Sequence, residues 1–215
     1  DTATSAIAFT LGDAETAAGS LSVRGASSNQ TLVPDANIVF GGSGASRTVT
    51  ITPAANQNGS VTITLTVNDG FSEATDTFTL TVTAVNDAPV LTSDGGGASA
   101  TVNAAENQTA VTTVTSSDVD GGAPAYSIIG GADQALFSIN AAGVLTFTTA
   151  PNFEVPTDVG GNNVYDVIVQ VADGNGGVDT QAIAVTVTNV NEAPVISSDG
   201  GGASATVNAA ENQTA

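Results

Sequence analysis

The sequence lacks several residue types on which common catalytic and metal chemistry depends. It contains no cysteine, histidine, methionine or tryptophan, and its only cationic residues are Arg24 and Arg47, so lysine is absent as well. Without cysteine the chain has no disulfide and no thiolate zinc site, and without histidine it has no Ser-His-Asp triad and no imidazole ligand. The absence of lysine excludes a Schiff base, a phosphate-binding lysine and a lysine–asparagine isopeptide cross-link.

Charge of positive sign is nearly missing. The chain has 21 acidic and 2 basic residues, which give a formal net charge of −19 at pH 7. Because nucleic acids and anionic membranes are bound through clustered cations, we expect neither as a partner. No apolar run is long enough to cross a bilayer, so we expect no membrane insertion. The sequence begins with neither methionine nor a signal peptide, and we expect it to be a piece of a longer protein.

The chain repeats itself after 105 residues. Residues 190–215 match residues 85–110 at all but three positions. A unit of this length is the size of an independently folding domain and too long for one turn of a solenoid. The repeat therefore predicts tandem domains.

The repeat also predicts where the domains begin and end. We expect module 1 over residues 1–88, without its first strand, module 2 over residues 89–193, and the truncated start of a third module over residues 194–215. Pro89 and Pro194 stand at the joints, and proline restricts both its own backbone and that of the preceding residue. The linkers should therefore be short and stiff.

Strict alternation of apolar residues with threonine predicts β-strands. The alternation is clearest over residues 47–52, 61–67, 77–83 and 183–188, and it is typical of strands with one buried face. Asp-Gly and Gly-Gly pairs between these stretches indicate turns, and no amphipathic helical stretch is present. We therefore predict an all-β fold of antiparallel β-sandwich modules, without the Cys and Trp residues of antibody domains.

Modules of this size gain from an additional cross-link. Disulfides, zinc and isopeptide bonds are excluded by composition, which leaves oxygen chemistry. Many of the acidic residues stand in turns beside glycine or asparagine, near the predicted module ends. Clustered carboxylates repel one another unless a cation lies among them, and calcium accepts the irregular oxygen geometry that loops provide. The sequence therefore predicts calcium binding.

Module 2 resembles the cadherin repeats, in the divergent form of very large bacterial surface adhesins. Five segments stand where that family has its calcium motifs: Ala105-Glu106-Asn107, Asp118-Val119-Asp120, Pro151-Asn152-Phe153-Glu154, Asp173 and Asn189-Val190-Asn191-Glu192-Ala193. Module 1 resembles the Ig-like repeats of the same adhesins over residues 52–59. It has Asn56 where module 2 has Glu154.

The resemblance implies calcium at the joints between modules. One complete joint would draw its ligands from Asp1, Asn86, Asp87, Asp118, Asp120 and Asp173, with Asn56 or Asn58 as further candidates. Two half-joints would use Asp13, Glu15 and Asp69 at one end and Glu106, Glu154, Asn191 and Glu192 at the other. We expect ordered calcium chiefly at the complete joint.

Each acidic residue also has a plainer structural interpretation. An aspartate before glycine ordinarily closes a turn by accepting hydrogen bonds from the backbone, and this alternative applies to Asp69 and Asp173. The same role is expected for Asp94 and Asp199. Six other aspartates are predicted to be solvated surface residues: Asp35, Asp76, Asp133, Asp158, Asp166 and Asp179.

These features predict a structural role outside the cell. We expect a calcium-binding repeat of an extracellular bacterial adhesin, stalk or filament, which mediates cell–cell or cell–matrix adhesion through homotypic contacts with like repeats or neighbouring subunits. The alternative is an accessory module that binds a surface polysaccharide. Such a module should present an exposed aromatic or polar concave site away from the joints, whereas a structural module should concentrate its polar clusters at the joints. We do not expect an enzyme.

Overall fold

A computed structural model describes residues 2–198 and, beyond them, Ser204, Thr206, Asn208 and Glu211. The chain divides into two compact units. The first comprises Asp1–Ala88 together with the loop segments Asp118–Gly122 and Asn175–Gly177. The second comprises Pro89–Ser117, Ala123–Gly174 and Val178–Ala215. The predicted Asp1 falls outside the described residues.

The first unit is built from two three-stranded antiparallel sheets. Its six strands are β1 (Ile7–Thr10), β2 (Ser22–Ser27), β3 (Ile38–Ser43), β4 (Ser46–Ile51), β5 (Gly59–Asn68) and β6 (Glu73–Val82). One sheet has the order β1-β4-β3 and the other the order β2-β5-β6. A short 3-10 turn at Asp35–Asn37 leads into β3.

The apolar residues of the alternating strands form the core of this unit. Val49 and Ile51 of β4 and Ile63 of β5 are fully buried. They pack in one cluster with Val33, Phe40 and Phe78. Threonines of the same strands take the other face, so the twofold alternation in the sequence becomes the inside and outside of a sandwich.

The second unit contains nine strands. They are β7 (Val90–Leu91), β8 (Ser99–Ala105), β9 (Ala110–Thr113), β10 (Ser116–Ser117), β11 (Ala125–Gly130), β12 (Phe137–Ile139), β13 (Val144–Phe147), β14 (Val164–Ala172) and β15 (Val178–Thr188). They form a four-stranded sheet β11-β14-β15-β8, a three-stranded sheet β12-β13-β9 and the pair β10-β7. Further 3-10 turns occupy Ser93–Gly95 and Gln134–Leu136.

Strand β8 joins its sheet in parallel to β15, whereas the other pairings are antiparallel. In this register Ala100 lies opposite Ile183, Val102 opposite Val185, and Ala104 opposite Val187. All six residues pack into the core of the second unit. The aromatic part of that core is a stack of Phe137 on Phe147, with Tyr165 against the edge of Phe147.

The all-β sandwich class and the four predicted strand regions are confirmed. Two of the aspartates predicted to be solvated are not: Asp133 and Asp158 are 4% and 6% exposed. Asp133 accepts hydrogen bonds from the backbone N–H groups of Val159 (2.7 Å) and Asp166 (2.8 Å). Asp158 accepts them from Asn162 (2.9 Å) and Asn163 (3.0 Å). These carboxylates are buried because they accept hydrogen bonds from the loop N–H groups of Val159, Asn162 and Asn163 and from the N–H of Asp166 in β14.

One glycine fixes the turn between β12 and β13. Gly143 has φ +79°, and a Cβ at this position would lie 2.1 Å from the carbonyl oxygen of Val114. That oxygen faces the turn because the N–H of Val114 donates to the carbonyl of Gly143 (2.8 Å). Only glycine adopts this left-handed conformation readily and, having no Cβ, leaves room for the Val114 carbonyl oxygen. No helical turn in the described part of the chain is long or apolar enough to cross a membrane.

Candidate functional site

Three glutamates from distant parts of the sequence meet at one end of the second unit. Glu106 directly follows β8, Glu154 lies in the long loop between β13 and β14, and Glu192 lies four residues beyond β15. One carboxylate oxygen from each lies within 4.8 Å of those of the other two. We call these three residues the glutamate cluster. All three are among the predicted calcium ligands.

Glu106 is the buried member of the cluster, with 2% of its surface exposed. Its Oε1 accepts a hydrogen bond from the N–H of Val190 (2.7 Å), and its Oε2 accepts one from the N–H of Phe153 (2.8 Å). These bonds, that from Val190 first, hold the pKa of the Glu106 carboxyl below its usual value, although desolvation acts in the opposite direction. The fold therefore keeps a carboxylate ionised in a buried position.

The other two carboxylates are exposed and oriented by asparagine amides. Asn189 Nδ2 donates to Glu154 Oε1 (2.6 Å), and Asn107 Nδ2 donates to Glu192 Oε1 (2.6 Å). Both asparagines belong to the calcium-motif segments, but the sequence did not identify them as orienting residues. Their positions in the sequence could have identified them. Asn107 directly follows Glu106, and Asn189 directly precedes Val190, whose backbone N–H donates to Glu106. The predicted ligand Asn191 is held beside them, its Nδ2 donating to the carbonyl oxygen of Glu192 (3.4 Å).

No cationic side chain neutralises the glutamate cluster within the described residues. Arg24 pairs with Glu73 at 2.9 Å, and Arg47 donates to the carbonyl oxygens of Gly44 and Ala18. These are the only two arginines, and the chain has no lysine or histidine. A hard divalent cation is therefore the natural counter-charge, and the residues present fit calcium because they offer carboxylate oxygens from irregular loops.

Several residues predicted at the complete joint also come together, within the first unit. Asp118 Oδ1 accepts a hydrogen bond from the N–H of Asp120 (2.8 Å), and Asp120 Oδ2 accepts one from the N–H of Asp87 (2.6 Å). Asp87 and Asp120 line a cavity of about 210 Å³ with Asn56 and Asn58. Two carboxylates and the amides of Asn56, Gln57 and Asn58 thus surround one small space.

Three further predicted ligands do not line this cavity. Asn86 and Asp118 are not among its lining residues. Asp173 belongs to the second unit.

The third predicted group is only partly assembled. Asp13 and Asp69 line a cavity of about 110 Å³, whereas Glu15 is not among its lining residues. Asp69 Oδ1 accepts hydrogen bonds from the N–H groups of Phe71 and Ser72, both at 2.7 Å. The bond from Ser72, followed by that from Phe71, lowers the pKa of the Asp69 carboxyl. These contacts are the turn-closing role that we considered as the alternative for Asp69.

One groove of the second unit does not have the character of a sugar site. It measures about 680 Å³ and lies over the four-stranded sheet, where Asp94 and Asp166 stand among small residues such as Gly96, Ala182 and Ala184. No aromatic ring is among its lining residues. Polysaccharide binding remains an untested prediction.

Comparison with known proteins supports the sequence resemblance. Residues 86–186, just under half of the chain, match the family described as the bacterial Ig domain. No curated protein sequence matches. The fold is similar to solved cadherin structures of low identity. Domains 1–5 of protocadherin gamma B2 match with a TM-score of 0.52 and 23% identity, covering 80% of this chain and 34% of that one.

Two further structures extend this similarity. Domains 1–2 of human protocadherin-24 have a TM-score of 0.50 and 15% identity, covering 78% and 82% of the two chains. Domains 22–24 of mouse cadherin-23 have a TM-score of 0.50 and 17% identity, covering 78% and 53%. The present chain spans 34% to 41% of the length of three protocadherin gamma structures that it resembles. The chain is therefore a cadherin-like, Ig-like repeat in fold.

Proposed function

We propose that these cadherin-like, Ig-like repeats form a calcium-binding structural segment of an extracellular bacterial adhesin, stalk or filament. The observation that supports the proposal is the glutamate cluster, in which Glu106 is buried beside two further carboxylates without a cationic side chain. Three carboxylates this close together repel one another and destabilise the folded state unless a positive charge lies among them. Calcium supplies that charge and accepts several carboxylate oxygens at once.

Within this proposal Glu106 is the fixed ligand and Glu154 and Glu192 are adjustable ones. Glu106 is held by two backbone N–H groups, whereas the exposed carboxylates are held by single asparagine amides. The bound ion would tie the loop that contains Glu154 to the segment that follows β15. Because only the folded state brings the three residues together, calcium would stabilise the fold by mass action.

The cavity lined by Asp87, Asp120, Asn56 and Asn58 is the second proposed calcium position. It is lined by two carboxylates and three amides, those of Asn56, Gln57 and Asn58, so its charge is lower than that of the glutamate cluster. We therefore expect weaker binding there. Affinities of about 10⁻⁴–10⁻³ M are typical of extracellular calcium modules.

The proposed adhesive role follows from repetition rather than from a single strong site. The chain repeats one domain-sized unit, and contacts between identical repeats on neighbouring subunits would add through multivalency even when each is weak. The net charge of −19 would keep such arrays apart unless calcium reduces it. The proposed partners are therefore like repeats outside the cell, with calcium present.

Thermal melting with calcium and with a chelator tests the proposal. We expect calcium to raise the melting temperature of the 215-residue chain, and Glu154→Gln to reduce that rise. Asp76→Asn is the matched control, since Asp76 is an exposed strand residue outside every proposed site, and it should leave the rise unchanged. An identical melting curve with calcium and with chelator would show that no structural calcium site exists.

A further inference from the structure

Strand β8 lies at the edge of the four-stranded sheet of the second unit. Within the described residues it pairs with β15 alone. At the two ends of this pairing, the N–H of Ala182 donates to the carbonyl oxygen of Ala98 (3.0 Å), and the N–H of Glu106 donates to the carbonyl oxygen of Thr188 (3.1 Å). Because backbone groups alternate in direction along a strand, the even-numbered residues of β8 face β15 and the odd-numbered residues point their N–H and C=O groups away from it.

Four residues of β8 therefore present backbone groups at an open edge: Ser99, Thr101, Asn103 and Ala105. In the part of the chain that the structure describes, no loop or side chain forms a hydrogen bond with these groups. The first three residues are exposed and Ala105 is half-buried, so the edge is accessible. A row of unpaired N–H and C=O groups of this kind is a template for a further strand.

The other sheet edges of the second unit are protected in ways that β8 is not. Strand β12 has only three residues, and β9 has four with an irregular register against β13. Strand β11 has six residues, and its register against β14 shifts between Ile128 and Gly130. Strand β8 has seven residues in uninterrupted register. Since short edge strands and bulges are common means of preventing edge-to-edge pairing, β8 is the edge best suited to pair.

The edge also lacks charge, although the chain carries a net charge of −19. Residues 95–105 contain no acidic residue, no basic residue and no proline. Of the two flanking carboxylates, Glu106 is buried and Asp94 accepts a hydrogen bond from Thr112 Oγ1 (3.0 Å). Two copies of β8 can therefore meet without placing like charges directly opposite each other, which would destabilise the pair.

We propose that β8 of one copy of the chain pairs antiparallel with β8 of a second copy, about a two-fold axis at Val102. In this register Thr101 lies opposite the second copy's Asn103, and Ser99 lies opposite the second copy's Ala105. These are the residues whose backbone groups point outward, and in an antiparallel ladder such opposite residues exchange both N–H···O bonds. The two four-stranded sheets thereby become one continuous sheet.

The side chains of β8 favour this register on both faces of the strand. On the exposed face the opposite side chains are small and uncharged, with Thr101 beside Asn103. On the face toward the core Val102 lies opposite Val102 of the second copy. Val102 is only half-buried in the single chain, where it packs against the core cluster of the second unit. Pairing covers it further, and cross-strand pairs of β-branched residues stabilise a sheet.

Both copies use the same surface, so the contact is isologous and association through it stops at the dimer. Stable interfaces commonly bury about 1,200–2,000 Å², and a pair of seven-residue strands is small by that measure. A single contact should therefore be weak, and several along an array of repeats would add through multivalency. The inference gives the homotypic contacts of the proposed function a surface and to that extent rests on it, but the pairing itself needs no calcium.

Sedimentation equilibrium of the 215-residue chain tests the proposal. We expect the weight-average mass to rise with concentration toward that of a dimer. Thr101→Pro should keep the chain monomeric, because proline removes an outward N–H and leaves the bonds to β15 in place. Thr101→Val keeps that N–H and is the matched control, which should associate like the original chain. A monomer at concentrations up to about 1 mM, which linked repeats reach as an effective concentration, or a dimer unaffected by Thr101→Pro, would overturn the proposal.

Disulfide cross-linking tests the register and does not depend on the folding of the proline variant. The chain has no cysteine. Opposite residues that exchange hydrogen bonds have Cα atoms about 5.5 Å apart, which a disulfide can span. Mixing Thr101→Cys chains with Asn103→Cys chains should therefore give a linked heterodimer on oxidation. Each variant alone should link less, because identical positions of the two copies are diagonal neighbours about 7–8 Å apart.

The position control is Thr113→Cys, an exposed residue of β9 in the other sheet. It should link to Asn103→Cys far less than Thr101→Cys does, and equal linking would contradict the proposed register. Both measurements are repeated in chelator, where the dimer should persist. A dimer that forms only with calcium would overturn strand pairing as its cause, whereas a melting curve that does not respond to calcium would contradict the proposed calcium sites and leave the β8 dimer unaffected.

Discussion

The N–H of Val190 donates a 2.7 Å hydrogen bond to Oε1 of Glu106, although 84 residues separate the two in the chain. Glu106 follows β8 and Val190 follows β15, so the bond continues past the point where the two parallel strands end. The carboxylate thus has a structural function before any metal is considered. It closes one end of the module and presents a buried negative charge to Glu154 and Glu192.

Substitution at Glu106 should separate that structural function from calcium binding. In Glu106→Gln an amide N–H₂ replaces one acceptor oxygen and must face the N–H of Val190 or Phe153. We therefore expect a lower melting temperature even in chelator. Glu154→Gln should leave the melting temperature in chelator nearly unchanged and reduce the calcium response alone. Equal behaviour of the two variants in chelator would contradict the structural assignment of Glu106.

Acid should destabilise the first unit in part through Asp35. Hydrogen bonds from the Gln30 side chain and the Ser27 N–H lower the pKa of the Asp35 carboxyl from its ordinary 3.8. Since the folded pKa is depressed, the stabilisation is fully present above the unfolded pKa and is lost as pH falls through the folded value. Melting temperatures measured between neutral pH and pH 3 should fall more steeply for the original chain than for Asp35→Asn. Parallel pH profiles would contradict this.

Removal of the buried Asp133 carboxylate should destabilise the second unit. Asp133→Ala leaves the N–H groups of Val159 and Asp166 without their acceptor. Hydrogen bonds to charged groups contribute about 1.5–3 kcal/mol each, and because two are lost we expect the free energy of unfolding in urea to fall by about 3–6 kcal/mol. Asp76→Ala is the surface control and should change the free energy of unfolding by less than about 0.5 kcal/mol. A loss no larger than that of the control would show that Asp133 does not support the loop.

Two glycines with nearly the same backbone conformation should respond differently to alanine. Gly143 has φ +79° and a Cβ position 2.1 Å from the carbonyl oxygen of Val114, whereas Gly174 has φ +82° and no atom within 4 Å. Gly174→Ala should lower the free energy of unfolding by about 1–2 kcal/mol, because alanine must adopt the left-handed conformation there. Gly143→Ala should cost more in the same unfolding measurement, because the backbone must also move. Equal losses would mean that the Val114 contact relaxes freely.

The strands were predictable because their information is local. In residues 61–67 apolar residues alternate with threonine, and β5 (Gly59–Asn68) buries Val61, Ile63 and Leu65, although Thr66 near its end is buried as well. The period of two follows from the pleat itself. The parallel addition of β8 was not predictable in this way, since its partner lies some 80 residues away and no local pattern identifies it.

The candidate site was predictable in its members but not in their contacts. The motifs located Glu106, Glu154 and Glu192, yet nothing in them shows that Glu106 would be buried or that Asn107 and Asn189 would orient the other two. The same limit explains the wrong prediction for Asp133 and Asp158. Whether an aspartate is solvated depends on which backbone N–H groups the fold leaves unpaired nearby.

The sequence by itself determined the residue chemistry, the strand pattern and the repeat. The absence of cysteine, histidine and lysine leaves carboxylates and amides as the available side-chain ligands, and the 105-residue offset predicts tandem domains. Only the tertiary structure decided that three glutamates converge and that β8 pairs in parallel with β15. The physical reason is that composition and periodicity act along the chain. Burial and strand pairing depend on neighbours that the chain brings together only when it folds.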